Sequence, residues 1–247
     1  MKNLLLIILL NFCFVKYSFS QLQFHTYKVS KDIEVIKISD DAYVHISYTQ
    51  TPEWGRVGSN GLFLINNGKA ALFDTPMTDS LTKDLVNWIT DTLKANITMF
   101  VPNHWHDDCM GGLAYLNHLG IESYANEMTI QIAKSKNLPV PLHGFKDSLK
   151  LTLGDKKIIC NYLGAAHTLD NIVVWVQSEK ILFAGCMVKD LKSKNLGNTV
   201  DGNLDEYPNT IKKVLNKYRD AEFVIPGHSR FGGIDLLKHT LKLSNRD

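Results

Sequence analysis

The chain has 247 residues, of which 45% are hydrophobic and 21% charged, so it suits one large or two small globular domains and excludes a low-complexity chain. It carries 27 basic and 25 acidic residues, and removal of residues 1–20, which hold Lys2 and Lys16 but no acid, leaves 25 of each. This balance argues against the basic surface that nucleic-acid binding requires, so we expect no nucleic-acid partner.

The N-terminus predicts a secretory signal peptide. Lys2 precedes an apolar run at 4–15, and the small residues Ser18 and Ser20 precede a cleavage site after residue 20. The alternative is a membrane anchor, but the run is shorter than the roughly 20 residues that span a bilayer. We therefore expect residues 1–20 to be removed and residues 21–247 to be exported to the periplasm with no membrane anchor.

Apolar and alternating runs then predict the order of elements. Strands are expected at 33–39, 42–48, 61–67 and 69–74, then a helix at 78–96, a strand at 97–102, and helices at 111–120 and 125–136. The second half gives strands at 148–152, 157–163, 171–177 and 181–185, a helix at 206–218, a strand at 221–226 and a helix at 234–244. Strands that precede helices in both halves favour an α+β fold with packed sheets and outer helices.

A metal-ligating motif follows the strand at 97–102. In "PNHWHDDCMGG" (102–112), His104 and His106 lie two residues apart, so on an extended segment their side chains point the same way, and Asp108 continues the alternation. Imidazole and carboxylate ligands suit zinc or iron. The alternative is a chance surface loop.

Three further candidate ligands also follow strands and lie near glycines or small residues. They are His167, Cys186 and His228. Glycines permit tight turns, sites assemble at strand ends, and a Cys thiolate favours zinc over magnesium or calcium. We therefore expect these loops to meet in one zinc site.

The remaining cysteines and histidines lack this context. Residues 21–247 hold three cysteines, an odd number that excludes a complete disulfide framework. Cys160 lies in an apolar strand and is expected in the core, while Cys109 falls out of the alternation, so we expect it to point away from the ligands in a packing or bracing role. Structural or surface positions are expected for His25, His45, His118, His143 and His239.

Together these residues resemble the zinc-dependent metallo-β-lactamases, in particular the first subclass of class B and its Bacteroides-type carbapenemase. The resemblance rests on His104-x-His106-x-Asp108 with His167, Cys186 and His228, and on "PNHWHDDCMGGL", "SYANEMTIQIAK", "LPVPLHGF" and "DNIVVW". It covers nearly all of residues 21–247. The His-x-His-x-Asp run marks the whole superfamily, and Cys186 is more specific, since related hydrolases such as glyoxalase II have Asp there.

The resemblance implies that residues 21–247 form a single domain, an αββα sandwich of two packed mixed sheets with helices on the outer faces. It also implies two zinc ions, one held by His104, His106 and His167 and the other by Asp108, Cys186 and His228. Ala166 and Ser229 replace glycines that are common in the subclass, which puts fine substrate preference in doubt but removes no ligand.

The implied activity is that of an exported zinc hydrolase that opens the β-lactam ring of penicillins, cephalosporins and carbapenems and confers antibiotic resistance. A zinc-bound hydroxide oriented by Asp108 would attack the carbonyl, with help from Asn198, and Lys189 would pair with the substrate carboxylate. Alternatively, Lys189 is a solvated lysine and Asn198 a plain turn residue.

Two residues outside the ligand set complete the predicted site. Trp54 lies near the tip of a polar loop at 49–61 and is expected to close over a bound ligand, or else to fold back onto the sheet. Asp74 ends a strand and is expected to brace the metal loop through hydrogen bonds.

Other functions fit the sequence less well. One alternative is an exported zinc hydrolase of the same fold that acts on a thioester, lactone or phosphoester, which the pairing of Cys186 with Lys189 disfavours. Another is a metal carrier without catalysis, which would need neither a carboxylate-binding residue nor a flap. No segment indicates an oligomer interface, so we expect a monomer.

Overall fold

The computed structural model describes residues 23–245, so the predicted signal peptide lies outside the described residues. An eight-stranded sheet follows chain order: β1 (His25–Lys28), β2 (Ile33–Lys37), β3 (Ala42–Thr51), β4 (Gly55–Asn66), β5 (Lys69–Phe73), β6 (Asn96–Val101), β7 (Glu122–Asn126) and β8 (His143–Phe145). The pairs from β1 to β5 are antiparallel, and those from β5 to β8 are parallel.

A second sheet holds five strands, β9 (Ser148–Leu153), β10 (Lys156–Tyr162), β11 (Ile172–Val176), β12 (Ile181–Gly185) and β13 (Phe223–Pro226), in the reverse order β13 to β9. Its pairs are antiparallel except for β12 with β13. The helices are α1 (Asp79–Leu93), α2 (Asp107–Met110), α3 (Leu113–His118), α4 (Glu127–Ser135), α5 (Tyr207–Lys217) and α6 (Asp235–Ser244).

Three buried clusters define four layers. Leu62 and Phe73 of the first sheet pack with Val174 and Phe183 of the second. The opposite face of the first sheet packs against residues of α1, α3 and α4, and the opposite face of the second sheet packs against residues of α5 and α6. The fold is therefore the predicted αββα sandwich, because each sheet buries one face on its partner and the other under helices.

Helix α1 shows why the spacing of apolar residues predicted a helix. Thr78 caps α1 by accepting a hydrogen bond from the Leu81 N–H, and Leu85 and Ile89, four residues apart, are fully buried against the sheet. The helix ends at Leu93, and the next residue, Lys94, adopts a left-handed conformation.

Several local predictions are wrong. The segment 49–61 is not a loop, because β3 continues to Thr51 and β4 begins at Gly55, leaving only a short turn. The helix expected at 125–136 starts at Glu127, since residues 122–126 form β7, and the sequence did not reveal β1, β8 or α2. Among residues 23–245, no helix is long and apolar enough to cross a membrane.

Candidate metal centre

The candidate ligands meet because they follow the carboxyl ends of neighbouring strands. His104 lies three residues beyond β6, Cys186 directly follows β12, and His228 lies two residues beyond β13. His167 lies in the loop between β10 and β11. Sites commonly form at such strand ends, where loops leave a rigid scaffold.

One triad has the geometry of a metal site. Asp108 Oδ2 lies 3.1 Å from His228 Nε2 and 3.2 Å from Cys186 Sγ, and Cys186 Sγ lies 3.4 Å from His228 Nε2. Tetrahedral ligands about 2.0–2.3 Å from a zinc ion lie about 3.3–3.7 Å from one another. The three atoms are therefore spaced, within a few tenths of an ångström, as zinc ligands are.

The histidines form a second group beside this triad. His104 Nε2 lies 3.0 Å from His106 Nδ1 and 3.7 Å from Asp108 Oδ1, and the His167 ring centroid lies 4.9 Å from that of His104. Ligand atoms within 4.8 Å of one another form three sets: His104, His106 and Asp108; His104, His167 and Cys186; and Asp108, Cys186 and His228. All six predicted ligands therefore lie together, and Asp108 belongs to both halves of the cluster.

Asp108 and Cys109 reach the cluster by a route that the sequence did not predict. The alternation stops at His106, which adopts an extended conformation and precedes the short helix α2, so Asp108 extends from the first helical turn. The same turn directs Cys109 inward, with Sγ 3.1 Å from His104 Nδ1. The prediction that Cys109 points away from the ligands is therefore wrong.

Asp74 braces the metal loop as predicted. Its Oδ1 accepts a hydrogen bond from the Asn103 N–H at 2.5 Å, and its Oδ2 lies 3.0 Å from Cys109 Sγ. The residue is almost completely buried, and its backbone is left-handed with φ 60°. One carboxylate thus ties the start of the His104 loop to the helix that carries Asp108.

Asp201 is a site residue that sequence reasoning missed. His106 Nε2 lies 2.9 Å from Asp201 Oδ2, which leaves His106 Nδ1 directed toward His104. His228 is held in the same way, because its Nδ1 lies 2.9 Å from the Gly58 carbonyl oxygen. Such partners fix ring orientation and tautomer. Asp201 lies in a polar loop with no strand-end signal, so nothing local marked it.

Burial and the neighbouring charges shift the pKa values of the cluster. Burial lowers the pKa of His104 to about 3 and that of His167 well below its usual value, so both imidazoles are neutral, the form that can bind a metal. The pKa of Cys186 is lowered to about 6, mainly by its hydrogen bond with Cys109. The metal-free site therefore favours a thiolate, the form that binds metal.

Asp108 and His228 shift in opposite directions. Burial alone would raise the pKa of Asp108, but its hydrogen bond with His228 holds it well below the usual value. Burial alone would lower the pKa of His228, but the Cys186 thiolate and Asp108 raise it well above. A positive charge between two anions is the pattern that a divalent cation would satisfy.

The cluster opens into a cavity of about 330 Å³. Its lining includes four of the six candidate ligands together with Trp54, Lys189 and Asn198. Trp54 is 68% exposed at the tip of the β3–β4 hairpin, so it does not fold back onto the sheet. The structure therefore brings every predicted site residue to one cavity or to the buried ligands beneath it.

Lys189 and Asn198 line this cavity from the segment that connects β12 with α5. Lys189 Nζ donates a hydrogen bond to the Cys186 carbonyl oxygen at 2.7 Å, and burial lowers its pKa. Asn198 Oδ1 accepts a hydrogen bond from the Val200 N–H at 3.2 Å. Lys189 is thus a half-buried amine at the cavity and not a solvated surface lysine.

Comparison with known proteins gives close relatives but no matching protein-family model. The chain is 49% identical over 219 residues to the metallo-β-lactamase type 2 of Bacteroides fragilis, covering 89% of this chain and 88% of the relative. It is 35% identical over 209 residues to the metallo-β-lactamase type 2 of Pseudomonas aeruginosa, covering 85% of this chain and 83% of that one.

Solved structures agree with these relatives. The crystal structure of VMB-1 superposes with a TM-score of 0.83 at 42% identity, covering 87% of this chain and 97% of that one. A metallo-β-lactamase from Pontibacter korlensis also gives 0.83, at 36% identity over 87% of this chain and all of that one (100%). By sequence and by fold, the chain belongs to the metallo-β-lactamases.

Proposed function

We propose that this metallo-β-lactamase uses two zinc ions to hydrolyse penicillins, cephalosporins and carbapenems. The family supports β-lactam hydrolysis with a metal cofactor. One observation carries the finer proposal: Lys189 and Asn198 line the same cavity as the candidate zinc ligands. A carboxylate-binding amine within one cavity of a metal cluster suits a substrate that carries a carboxylate beside its reacting amide.

The donor set fits two zinc ions. Histidine nitrogens from His104, His106 and His167 would hold one ion, and Asp108, Cys186 and His228 would hold the other. The spacing of 3.1–3.4 Å within the second triad and the thiolate-favouring pKa of Cys186 support this assignment. Bound zinc would supply Lewis-acid polarisation of the carbonyl and activation of water.

The protein side chains would bind and orient the substrate. Lys189 Nζ, which donates one hydrogen bond to a carbonyl, has two further N–H groups to offer to the substrate carboxylate. Asn198, whose Oδ1 is held by the Val200 N–H, would direct its amide N–H groups at the lactam carbonyl oxygen as negative charge develops there. Asp108 would accept a hydrogen bond from the attacking water, and Trp54 would cover the bound ring and exclude solvent.

Export and a monomeric state complete the proposal. The argument for export is the sequence of residues 1–20, a basic residue followed by an apolar run and small residues before the cleavage position. Mass spectrometry of the protein recovered from a bacterial host's periplasm should give an N-terminus at Gln21. Sedimentation of that protein should give the mass of one chain.

The decisive experiment is hydrolysis of a penicillin, a chromogenic cephalosporin and a carbapenem by the purified mature chain. It is run with added zinc, after chelation, and after zinc is restored. We expect turnover of all three classes, its loss on chelation and its recovery with zinc. A sample that holds two zinc ions per chain but leaves all three antibiotics intact would refute the proposal, and thioesters, lactones and phosphodiesters would then be tested.

A further inference from the structure

His45 is a buried histidine outside the candidate ligand set. It lies in the middle of β3 with 1% of its surface exposed, and its Nε2 lies 3.0 Å from the main-chain carbonyl oxygen of Asp74. A carbonyl oxygen only accepts, so Nε2 carries the proton and donates. Among the described residues, His45 Nδ1 has no hydrogen-bond partner.

The His45 side chain reaches Asp74 by crossing a strand. β4 lies between β3 and β5, and Gly61 of β4 pairs directly with His45. A Cβ atom at Gly61 would lie 2.0 Å from His45 Nε2 and 2.7 Å from the Phe73 carbonyl oxygen. The glycine therefore leaves the space through which the imidazole spans from β3 to the end of β5.

Asp74 is the residue that this hydrogen bond holds in place. Its φ of 60° is a left-handed conformation that a non-glycine residue keeps only where the surroundings fix it. Each of its polar groups has a partner: the N–H faces the Val101 carbonyl, Oδ1 accepts from Asn103, Oδ2 faces Cys109 and the carbonyl accepts from His45.

The contacts continue from Asp74 to the histidine group. Cys109 Sγ lies 3.0 Å from Asp74 Oδ2 and 3.1 Å from His104 Nδ1, so it touches both the brace and the ring. His104 presents its other nitrogen, Nε2, to His106 Nδ1 at 3.0 Å. By contrast, His228 is oriented by the Gly58 carbonyl, a contact that does not pass through Asp74.

We propose that His45 is a positioning residue for the His104 side of the metal centre. The hydrogen bond from His45 Nε2–H holds the Asp74 carbonyl and therefore the left-handed turn at Asp74. The turn directs the Asp74 carboxylate toward the Asn103 N–H and Cys109 Sγ. These two residues in turn fix the orientation of the His104 ring. The inference rests on the proposed role of His104 as a zinc ligand. It predicts a larger effect on that zinc ion than on the ion held by Cys186 and His228, because His228 is oriented without Asp74 and only Cys186 of that triad has a contact with Cys109.

Variants at His45 separate the donor from the packing. Gln places its amide nitrogen the same number of bonds from Cα as His Nε2, so H45Q keeps a donor at the required position. H45M fills a similar volume without a hydrogen-bond donor. H45N has a donor, but its side chain is one bond too short to reach the Asp74 carbonyl. S47A is the matched control, because Ser47 is buried in the same strand and has no hydrogen-bond partner among the described residues.

The test is a zinc titration of the metal-free proteins against a chromophoric chelator, with no antibiotic present. We expect H45M and H45N to bind the zinc ion of the His104 side about tenfold less tightly, and H45Q and S47A to bind both ions as the unmodified chain does. Cobalt substitution identifies the site: in H45M, the titration midpoint of the Cys186 thiolate-to-cobalt band should shift less than the midpoints of the remaining cobalt transitions.

Thermal unfolding of the metal-free variants is the structural control, because it shows whether each variant is folded. If H45M or H45N binds both ions with unchanged affinity, or if H45Q is impaired as strongly as H45M, then the donor does not matter and the inference is wrong. H45N serves if H45M does not fold. Failure of the unmodified chain to hydrolyse β-lactams would refute the proposed function but leave these zinc-binding constants interpretable. Unchanged zinc binding in the variants would refute this inference but leave the proposed function untouched.

Discussion

Lys189 Nζ lies 2.7 Å from the carbonyl oxygen of Cys186, three residues earlier in the same turn. This contact holds a flexible side chain against the backbone that carries a candidate zinc ligand. The Lys189 backbone is fixed as well, since its N–H donates to Thr240 Oγ1 at 2.8 Å. The ammonium group is therefore preorganised at a set place in the cavity, which reduces the entropy lost on pairing with a substrate carboxylate.

Replacing Lys189 with Ala should raise KM for penicillins and carbapenems about 10-fold to 100-fold, because a partly desolvated charge-assisted hydrogen bond contributes about 1.5–3 kcal/mol. K189R should recover part of this loss, since it retains a donor and a positive charge. Steady-state kinetics on a carboxylate-bearing substrate and on its methyl ester would check the reason. An equal loss on both would show that Lys189 does not bind the carboxylate.

Trp54 should contribute to substrate binding without contributing to stability. It is 68% exposed, so W54A removes little buried surface, and the melting temperature should change by less than about 2 °C. We expect KM to rise about threefold to 30-fold, because an aromatic side chain at the cavity covers apolar substrate area. V200A is the matched control, since Val200 is 82% exposed and does not line the cavity. Equal KM values for W54A and V200A would show that Trp54 does not cover the bound substrate.

The candidate ligands could be predicted from the sequence because the residues that indicate each of them lie close together in the chain. His104, Cys186 and His228 each follow an apolar strand, and a short range of residues shows both the strand and the ligand. The layered fold follows from the same patterns, since Leu85 and Ile89 recur at helical spacing on a buried face. Periodicity and strand ends therefore predicted packed sheets, outer helices and the candidate ligands, while the αββα layering and the division into two zinc triads came from the family resemblance.

The rest could not be predicted because it depends on contacts between distant segments. Asp201 meets His106 from 95 residues away, and His45 reaches Asp74 only because Gly61 pairs opposite it. The hairpin at 49–61 was predicted to be a loop because its sequence is polar, contains glycines and shows no apolar alternation. Asp108 was placed by alternation, although α2 begins one residue earlier. Tertiary contacts set each of these features.

Cys186 should control zinc stoichiometry. We expect C186S to hold about one zinc ion per chain in place of two, with kcat/KM lowered at least about 100-fold, because the thiolate is the soft ligand of its triad. C160A is the control, since Cys160 is buried in the core between the sheets and belongs to no ligand group. Elemental analysis with protein quantification measures the ratio. Two tightly bound zinc ions in C186S would contradict the assignment.

Asp201 should orient His106. Its carboxylate lies 2.9 Å from His106 Nε2, so D201A removes the partner that keeps Nδ1 facing the cluster. Loss of such a partner typically weakens metal affinity or activity by roughly 10-fold to 100-fold. D201N retains an acceptor oxygen and should lose less. Zinc competition assays on D201A and D201N, with the exposed Asp205→Ala change as a control, measure these affinities. Equal zinc affinity in D201A, D201N and the Asp205 variant would exclude an orienting role for Asp201.

His45 should make the stability of the metal-free protein depend on pH. Burial lowers its pKa from 6.5 to about 4 in the folded state, so between these values the unfolded chain binds more protons at this residue. Its contribution to stability is therefore full above pH 6.5 and is lost as the pH falls toward 4, by about 3 kcal/mol at 1.36 kcal/mol per pKa unit.

Glutamine does not titrate, so H45Q should lack this part of the slope, while other groups, including the buried Asp74, affect both proteins alike. Urea unfolding of the metal-free proteins from pH 7 to pH 4.5 measures the difference. The free energy of unfolding of H45Q relative to the unmodified chain should rise by about 2–3 kcal/mol over this range. Parallel pH dependences would mean that the His45 imidazole becomes protonated without cost inside the fold, which its single hydrogen bond to a carbonyl oxygen does not permit.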